Sequence, residues 1–521
     1  MATRSATVWQ AHNMGDLSGR SIPTAGTGVR LSGTRLRSLP VWLAPAGVAL
    51  VVTLVGLDDA QPWRDELATW SAATRGTAGL LRLAGTIDAA AGPYYLLMHA
   101  WVAVAGDSVA ALRLPSALAM ALAAGLTAAL GARLWDARVG TLAGLLFAVL
   151  PGTSRYAQEA RPYALATALA VLSTLLLVDA LRHPGWRRWT GYAAATTALG
   201  LTHLVALTLL AAHAVAVLSP AVRCALGAGR TQSADEEQGL PRDRPVRYWL
   251  AALVPVAVAV APLALLARGQ RARQLDWVDT TRPADLAALA GGVAQSGVVG
   301  GALVGLAALG AVRAGRRGLL PTSCVLLPVL LLFLAGLVVP LWVPRYLVFV
   351  VPFGCLLAGV ALATVRLPAA LVVVALTGLL GVPDQMALRR THEWPRSAAV
   401  DYRGAARIVA DGQRPGDVIV YSPRDSWLFL DLGLGYHLGG RLPRDALLAQ
   451  RQRQRGDLWA TECDRPAECL SGADRVWLVL AGRRDDPLAA VPGAKGDALR
   501  AGFTVTQVWP HPGLTVALLT R

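Results

Sequence analysis

Two adjacent carboxylates, Asp65 and Glu66, stand in the stretch Gln61-Pro62-Trp63-Arg64-Asp65-Glu66-Leu67, directly after the first long apolar run of the chain. A carboxylate at the mouth of an apolar bundle can take a proton from an attacking hydroxyl, and acids are rare in membrane spans unless they have a use there. The plainer alternative is a solvated loop whose acid caps a helix. A second set of chemically able residues is cationic: Arg155 and Arg161 in one turn, Arg345 in another, and Arg268, Arg271, Arg273 and Arg282 in a longer loop. Clustered guanidiniums grip phosphate through paired hydrogen bonds, so they point to an anionic substrate. Their plainer alternative is contact with lipid headgroups.

The elements that must position these groups are membrane spans. Of 521 residues, 54% are hydrophobic and only 16% charged, with a mean hydropathy of +0.46, which describes a polytopic α-helical membrane protein. The net charge of +16 does not indicate nucleic acid, because most of the arginines fall in short loops between apolar runs, the positive-inside pattern. About eleven spans are expected, near 40–57, 108–132, 139–153, 162–181, 189–202, 204–219, 248–267, 297–312, 318–340, 346–364 and 367–383. Residues 1–39, rich in Gly, Ser, Thr and Arg, are expected to be disordered and cytoplasmic. The spans then put the loop 58–107 outside, and in it Tyr94-Tyr95-Leu96-Leu97 through Trp101 reads as a helix along the membrane surface. The arginine-bearing turns and the loop 268–296 fall on that same outer side, against the positive-inside trend.

From about 384 the chain turns polar. Runs 417–421 and 475–480 read as buried strands, 402–411 and 443–454 as helices, and 503–520 as a hairpin around Pro510–Gly513. A small C-terminal α/β domain over 384–521, outside the membrane, is expected. Cys463 and Cys469 lie close together with no histidine in the segment, which favours a small disulfide loop over a zinc site and again suggests a non-cytoplasmic location. No Gly-rich phosphate loop, HExxH or GxSxG motif occurs in this region, and no internal repeat is evident.

In order along the chain come the acidic pair, Pro93-Tyr94-Tyr95-Leu96-Leu97, Ala111-Leu112-Arg113-Leu114-Pro115-Ser116, and Gln158-Glu159-Ala160-Arg161-Pro162-Tyr163. This order resembles the GT-C glycosyltransferases. It looks most like the family 39-like type related to protein O-mannosyltransferases and lipid A aminoarabinose transferases. Arg345-Tyr346, Trp394 and Tyr402-Arg403-Gly404-Ala405-Ala406 look like actinobacterial members. The resemblance covers about 40–410 and implies a transmembrane domain over 40–383 with a catalytic first outer loop. It also implies a polyprenyl-phosphate sugar donor, a hydroxyl acceptor (protein, glycolipid or polysaccharide), and action on the outer face of the cell membrane. Asp65 maps onto the family's catalytic acid, with Glu66 beside it. As general base, Asp65 would take the acceptor's proton while the anomeric carbon is attacked, and arginines would stabilise the departing phosphate. Arg161 and Arg345 are the first candidates for that role, with Arg155, Arg271 and Arg273 behind them.

Glu159 either binds the sugar or pairs with Arg161, and Gln158 stands beside it. His99 and His203 face outward as substrate contacts or as structural groups. Tyr94, Tyr163 and Tyr346 are aromatic candidates, the first two as interface anchors before sugar contacts. Arg113 is expected at the headgroups. Many relatives carry His or Lys with Pro-Pro before the Tyr-Tyr pair, whereas this chain has Ala89-Ala90-Ala91-Gly92-Pro93, so an arginine elsewhere must hold the phosphate or the donor differs. Mannose is the sugar the resemblance favours. A divalent cation is possible, with Asp65, Glu66 and Asp88 as its candidate ligands, though no dense carboxylate cluster is evident. A lipid-linked sugar transporter is the competing class, but it calls for polar or broken spans at the midplane and repeated halves.

Overall fold

The computed structural model describes residues 40–227, 244–393 and 399–521. The stretch 1–39, expected to be disordered, residues 228–243 and Trp394 lie outside the described residues. The chain opens with helix α1 (Leu43–Leu54), followed by three short helices of the first loop, α2 (Arg64–Ala73), α3 (Thr77–Thr86) and α4 (Gly92–Ala105). Then come α5 (Val109–Leu134), α6 (Ala137–Val149), α7 (Pro151–Ala157), α8 (Tyr163–Arg182), α9 (Trp186–Thr202), α10 (Leu209–Leu218) and α11 (Pro220–Ala225). After the undescribed segment follow α12 (Arg244–Gln274), α13 (Pro283–Ala294), α14 (Gly297–Ala314), α15 (Leu319–Val338), α16 (Val351–Leu362), α17 (Leu367–Leu380) and α18 (Val382–Leu388).

Each expected span contains a helix, but the helices are not equally able to cross a bilayer. Among the described residues five are long and apolar enough: α5, α8, α12, the run Gly297–Val338 and the run Pro344–Leu362. Counting the bent pairs α6–α7 (66°) and α17–α18 (40°) as one span each raises the number to seven. Each bend falls just before a proline, Pro151 or Pro383, which has no N–H for the preceding turn. The segments α1, α9 and α10, at 12, 17 and 10 residues, fall short of a full span, and α14 and α15 are joined through a single turn of 3-10 helix, Gly315–Gly318. Apolar helices approach closely where small residues face one another. A Cβ on Gly310 would lie 1.7 Å from the Leu357 carbonyl oxygen, and one on Gly140 would lie 2.2 Å from that of Ala128.

Two expectations need correcting. Residues 268–274 are not loop: α12 runs unbroken for 31 residues, about 46 Å at the helical rise, longer than the ~30 Å apolar core of a bilayer. Arg268, Arg271 and Arg273 therefore ride on its last two turns. Residues 443–454 are not one helix either. They form β2 (Arg444–Asp445), β3 (Leu448–Gln450) and the one-turn helix Gln452–Arg455, because Arg424 takes the Asp445 carboxylate and the Ala446 N–H donates to Ile419 (3.1 Å). Tertiary pairing here overrides local helical pattern.

The remaining C-terminal elements are a helix α19 (Tyr402–Gly412), β1 (Val418–Ser422), a helix α20 (Leu430–Leu438), β4 (Thr461–Glu462), β5 (Arg475–Ala481), a helix Gly493–Gly502, and the hairpin β6 (Thr504–His511) and β7 (Leu514–Thr520). The sheet order is β2-β1-β5-β7-β6, with β1 parallel to β2 and β5, and β7 antiparallel to β5 and β6. Cys463 and Cys469 are joined as a disulfide. This region shares one buried core with the first loop: Leu67, Leu83 and Tyr95 pack in the same cluster as Tyr402, Phe429, Trp459 and Trp477. That shared core holds α2, and hence the acidic pair, in place.

Candidate active site

The two carboxylates of the acidic pair have opposite surroundings. They are neighbours near the start of α2, so they leave the helix about 100° apart. Glu66 turns inward and is 1% exposed. Its oxygens accept from Arg113 Nε (2.8 Å) and Nη2 (2.6 Å) and from the Ala160 N–H (2.9 Å). Arg113, 1% exposed, spends its other donors on the carbonyls of Leu57, Ala60 and Gln61. Burial acts to raise the Glu66 pKa, but the charge and hydrogen bonds of Arg113 outweigh it and hold the carboxyl well below the usual range. A carboxylate so fully bonded makes a poor base. Glu66 ties α2 to Arg113, which is therefore a buried ion-pair partner and not a headgroup contact.

Asp65 turns the other way. Its Oδ2 lies 3.3 Å from Arg345 Nη2 and has no hydrogen-bond partner. Arg345, on the 3-10 turn Pro344–Val350 that opens a span, has its guanidinium 5.6 Å from the Trp63 ring and 5.2 Å from the Trp277 ring. The Arg155 guanidinium lies 5.0 Å from the same Trp63 ring. It bonds the His392 carbonyl (2.9 Å) and sits 2.9 Å from Glu159 Oε2. Glu159 thus pairs with Arg155, one helical turn back, and not with Arg161.

Two cavities adjoin this group. The smaller, about 220 Å³, is walled by Trp63, Arg155, Tyr156, Trp277, Trp342, Arg345, His392 and Glu393. The larger, about 690 Å³, has apolar walls from Leu204, Val205, Ala264, Ala267, Val339 and Leu341, with three guanidiniums, Arg161, Arg268 and Arg271, and one acid, Asp88. Tyr163, His203 and Tyr346 also line it, with ring centroids 5.5–6.3 Å apart. Arg345 and Tyr346 are consecutive and face different cavities, so this turn is the wall between them. Asp88, in a left-handed conformation with φ +60°, accepts from Tyr95 and Gln274, and Arg161 Nη1 donates to Tyr95 Oη (3.2 Å). Burial raises the Asp88 pKa.

Of the residues singled out in the sequence, Arg161, Arg271, His203 and Tyr346 meet at the larger cavity, and Arg155 and Arg345 at the smaller, with Asp65 against Arg345. Others lie elsewhere. Gln158 donates to the carbonyls of Thr53 (2.9 Å) and Val55 (2.8 Å), anchoring the end of α1. His99 Nδ1 is 2.9 Å from the Ala73 carbonyl, between α2 and α4. Tyr94 is buried in the first-loop core, not an interface anchor. Arg273 pairs with Asp457 (2.8 Å). Among the described residues no three His, Cys, Asp or Glu side chains converge as for a metal ion. With Glu66 held by Arg113 and Asp88 by Tyr95 and Gln274, the trio Asp65, Glu66 and Asp88 does not fit a divalent cation.

Sequence reasoning missed Trp63, Trp277, His392 and Glu393. Two tryptophans beside charged residues, and an acid soon after the last span, were the available signals. Glu393 lies 3.4 Å from Arg64 Nε, and burial pushes its pKa up to about 7 despite Arg64. Such a group contributes stability present below its unfolded value of about 4.5 and lost as pH rises through about 7. The stability advantage of Glu393→Gln over the wild type is therefore expected to grow between about pH 5 and pH 8, read as the difference in their melting temperatures across that range. A constant difference would contradict the assignment.

The site is a carboxylate and arginines at the boundary of an apolar cavity in a bundle of apolar helices. Residues 92–227 match the family model described as dolichyl-phosphate-mannose-protein mannosyltransferase. The crystal structure of ArnT from Cupriavidus metallidurans in the apo state is similar over 91% of this chain and 97% of that one, with a TM-score of 0.57 at 13% identity. The same protein bound to undecaprenyl phosphate gives 0.55 at 15% identity, with the same coverage. A comparison with curated protein sequences gives no match. The chain has the GT-C fold.

Proposed function

We propose that this protein is a membrane glycosyltransferase that moves a hexose, mannose first among them, from a polyprenyl-phosphate donor to a hydroxyl acceptor on the outer face of the cell membrane. The observation that carries this reading is the placement of Asp65. Its unbonded oxygen faces Arg345 at the wall between an apolar cavity with three guanidiniums and a small aromatic one. The apolar cavity suits a prenyl chain with its phosphate, and the aromatic one suits a sugar. That ArnT is bound to undecaprenyl phosphate in a structure of this fold supports the lipid-phosphate half. In this reading the first outer loop and the region 384–521 lie outside the membrane and the N-terminus inside, in keeping with the disulfide and the arginine distribution.

In the reaction so proposed, Asp65 accepts the proton of the acceptor hydroxyl as its oxygen bonds to the anomeric carbon. The bond from that carbon to the phosphate oxygen breaks, and the electron pair leaves with the polyprenyl phosphate. Arg345 and Arg161 stabilise the growing phosphate charge. One displacement inverts the anomeric centre.

Purified protein in detergent with a radiolabelled polyprenyl-phosphate mannose is the test. Release of labelled sugar supports the transferase. Protein-dependent movement of intact donor across liposomes, with no release, would instead establish a transporter. Binding of undecaprenyl phosphate is expected to weaken by about tenfold in Arg161→Ala and in Arg271→Ala, since each removes a charge-assisted contact. Native mass spectrometry or calorimetry would read it, and unchanged binding in both would remove the larger cavity as the lipid-phosphate site.

A further inference from the structure

A third cavity, about 630 Å³, lies beyond the C-terminal end of strand β1 and shares no lining residue with the other two. The loop that leaves this strand, Ser422 to Trp427, forms one wall, and the end of α12, the 455–462 segment and Lys495 form the others. The carboxyl ends of parallel strands are where open α/β sheets bind ligands. Two indoles mark the cavity: Trp427, half-buried, and Trp459, with centroids 4.7 Å apart and planes at 76°. Trp427 is fixed by its Nε1, which donates to Asp276 Oδ1 (3.1 Å).

The charges in this cavity are largely spent on one another. Lys495 Nζ bonds Glu462 Oε2 (2.8 Å) and the Tyr421 carbonyl (2.9 Å). Arg424, buried, bridges Glu462 and Asp445, yet its Nη1 has no hydrogen-bond partner and sits 3.6 Å from Asp431 Oδ2. Arg273 pairs with Asp457. An ionic ligand would have to break these pairs, and a lipid chain would strand them dry. A polyol fits: its C–H face packs on indole, while its hydroxyls both donate to carboxylates and accept from guanidinium and ammonium groups.

The segment Arg273–Trp277 links this cavity to the other two. Arg273 and Asp276 line it, Gln274 lines the larger cavity, and Trp277 lines the small one beside Arg345. We infer that the third cavity is a saccharide-binding subsite for a sugar-bearing acceptor, holding a sugar chain whose end extends past Trp277 toward Asp65. Its role as an acceptor subsite rests on the transferase reading, but its binding of saccharide does not.

The test is calorimetry on the full-length protein in detergent with linear hexasaccharides of mannose, glucose and arabinose, and a hexapeptide as control. At least one hexasaccharide is expected to bind. Trp427→Ala, and separately Asp425→Ala on the exposed part of the loop, are each expected to weaken that binding by about tenfold, with melting temperatures showing both variants folded. No binding of any hexasaccharide to the wild type would overturn the proposal, as would equal binding by both variants. Hexapeptide binding that is lost in Trp427→Ala, with no saccharide bound, would overturn it in favour of a peptide. Saccharide binding lost in the variants, in a protein that releases no sugar from lipid donors, would uphold the cavity and refute the transferase.

Discussion

Asp65→Asn is expected to lower sugar transfer by about 10²–10⁴-fold while leaving the lipid donor bound. The amide keeps the shape of the side chain but cannot accept the acceptor's proton. In the proposed reading donor binding survives, because Arg161, Arg268 and Arg271 line the cavity across the wall and Arg345 is freed of its counter-charge 3.3 Å away. The pattern to look for is therefore a fall in kcat with the donor Kd unchanged or lower. Turnover equal to that of the wild type would move the base to another carboxylate near the boundary. Glu159 and Glu393 are the remaining candidates, because Glu66 is committed to Arg113.

The second large effect is on folding. Arg113→Met removes the partner of a carboxylate that is 1% exposed and leaves that charge buried with only backbone donors, a loss of about 3–5 kcal/mol. It also releases three carbonyls, of Leu57, Ala60 and Gln61, that fix the path from α1 into the first loop. The variant should unfold at markedly lower temperature in detergent and lose activity through misplacement of α2. The double change Glu66→Leu with Arg113→Met should recover part of the stability, since replacing both partners with apolar groups removes the stranded charge. The pH sign follows from the lowered Glu66 pKa. Its contribution is present above the unfolded value of 4.5 and lost as pH falls through the much lower folded one. Full stability in Arg113→Met at neutral pH would show that the pair is dispensable.

How much of this was legible in the sequence depended on the kind of signal. Apolar runs ended by arginine loops reveal helices reliably, because burial in lipid demands both length and composition. Each expected span accordingly contains a helix. Hydropathy does not say where a helix stops once it leaves the apolar layer, so the last turns of α12, with Arg268, Arg271 and Arg273, read as loop. The α/β character of the C-terminal region was visible in β1, β5 and the final hairpin, whose runs are strongly patterned. Residues 443–454 misled because Arg424, twenty residues upstream, decides their fate.

At the site, sequence order brought out Asp65, Arg161 and Arg345 but could not separate the two carboxylates of the acidic pair. Adjacent residues on a helix point in different directions, and only the position of Arg113 reveals which of them is buried and satisfied. Trp63, Trp277 and Glu393 come from three distant segments, and nothing in the linear order joins them.

In the proposed reaction Asp65 acts as a base in a single displacement from a lipid phosphate. The most direct measurement is transfer of sugar from a polyprenyl-phosphate hexose of known anomeric configuration, with the configuration of the product read by NMR. Inversion is expected, with transfer falling steeply in Asp65→Asn. Retention would contradict it, because retention calls for a carboxylate that attacks the sugar itself and carries it as a covalent intermediate.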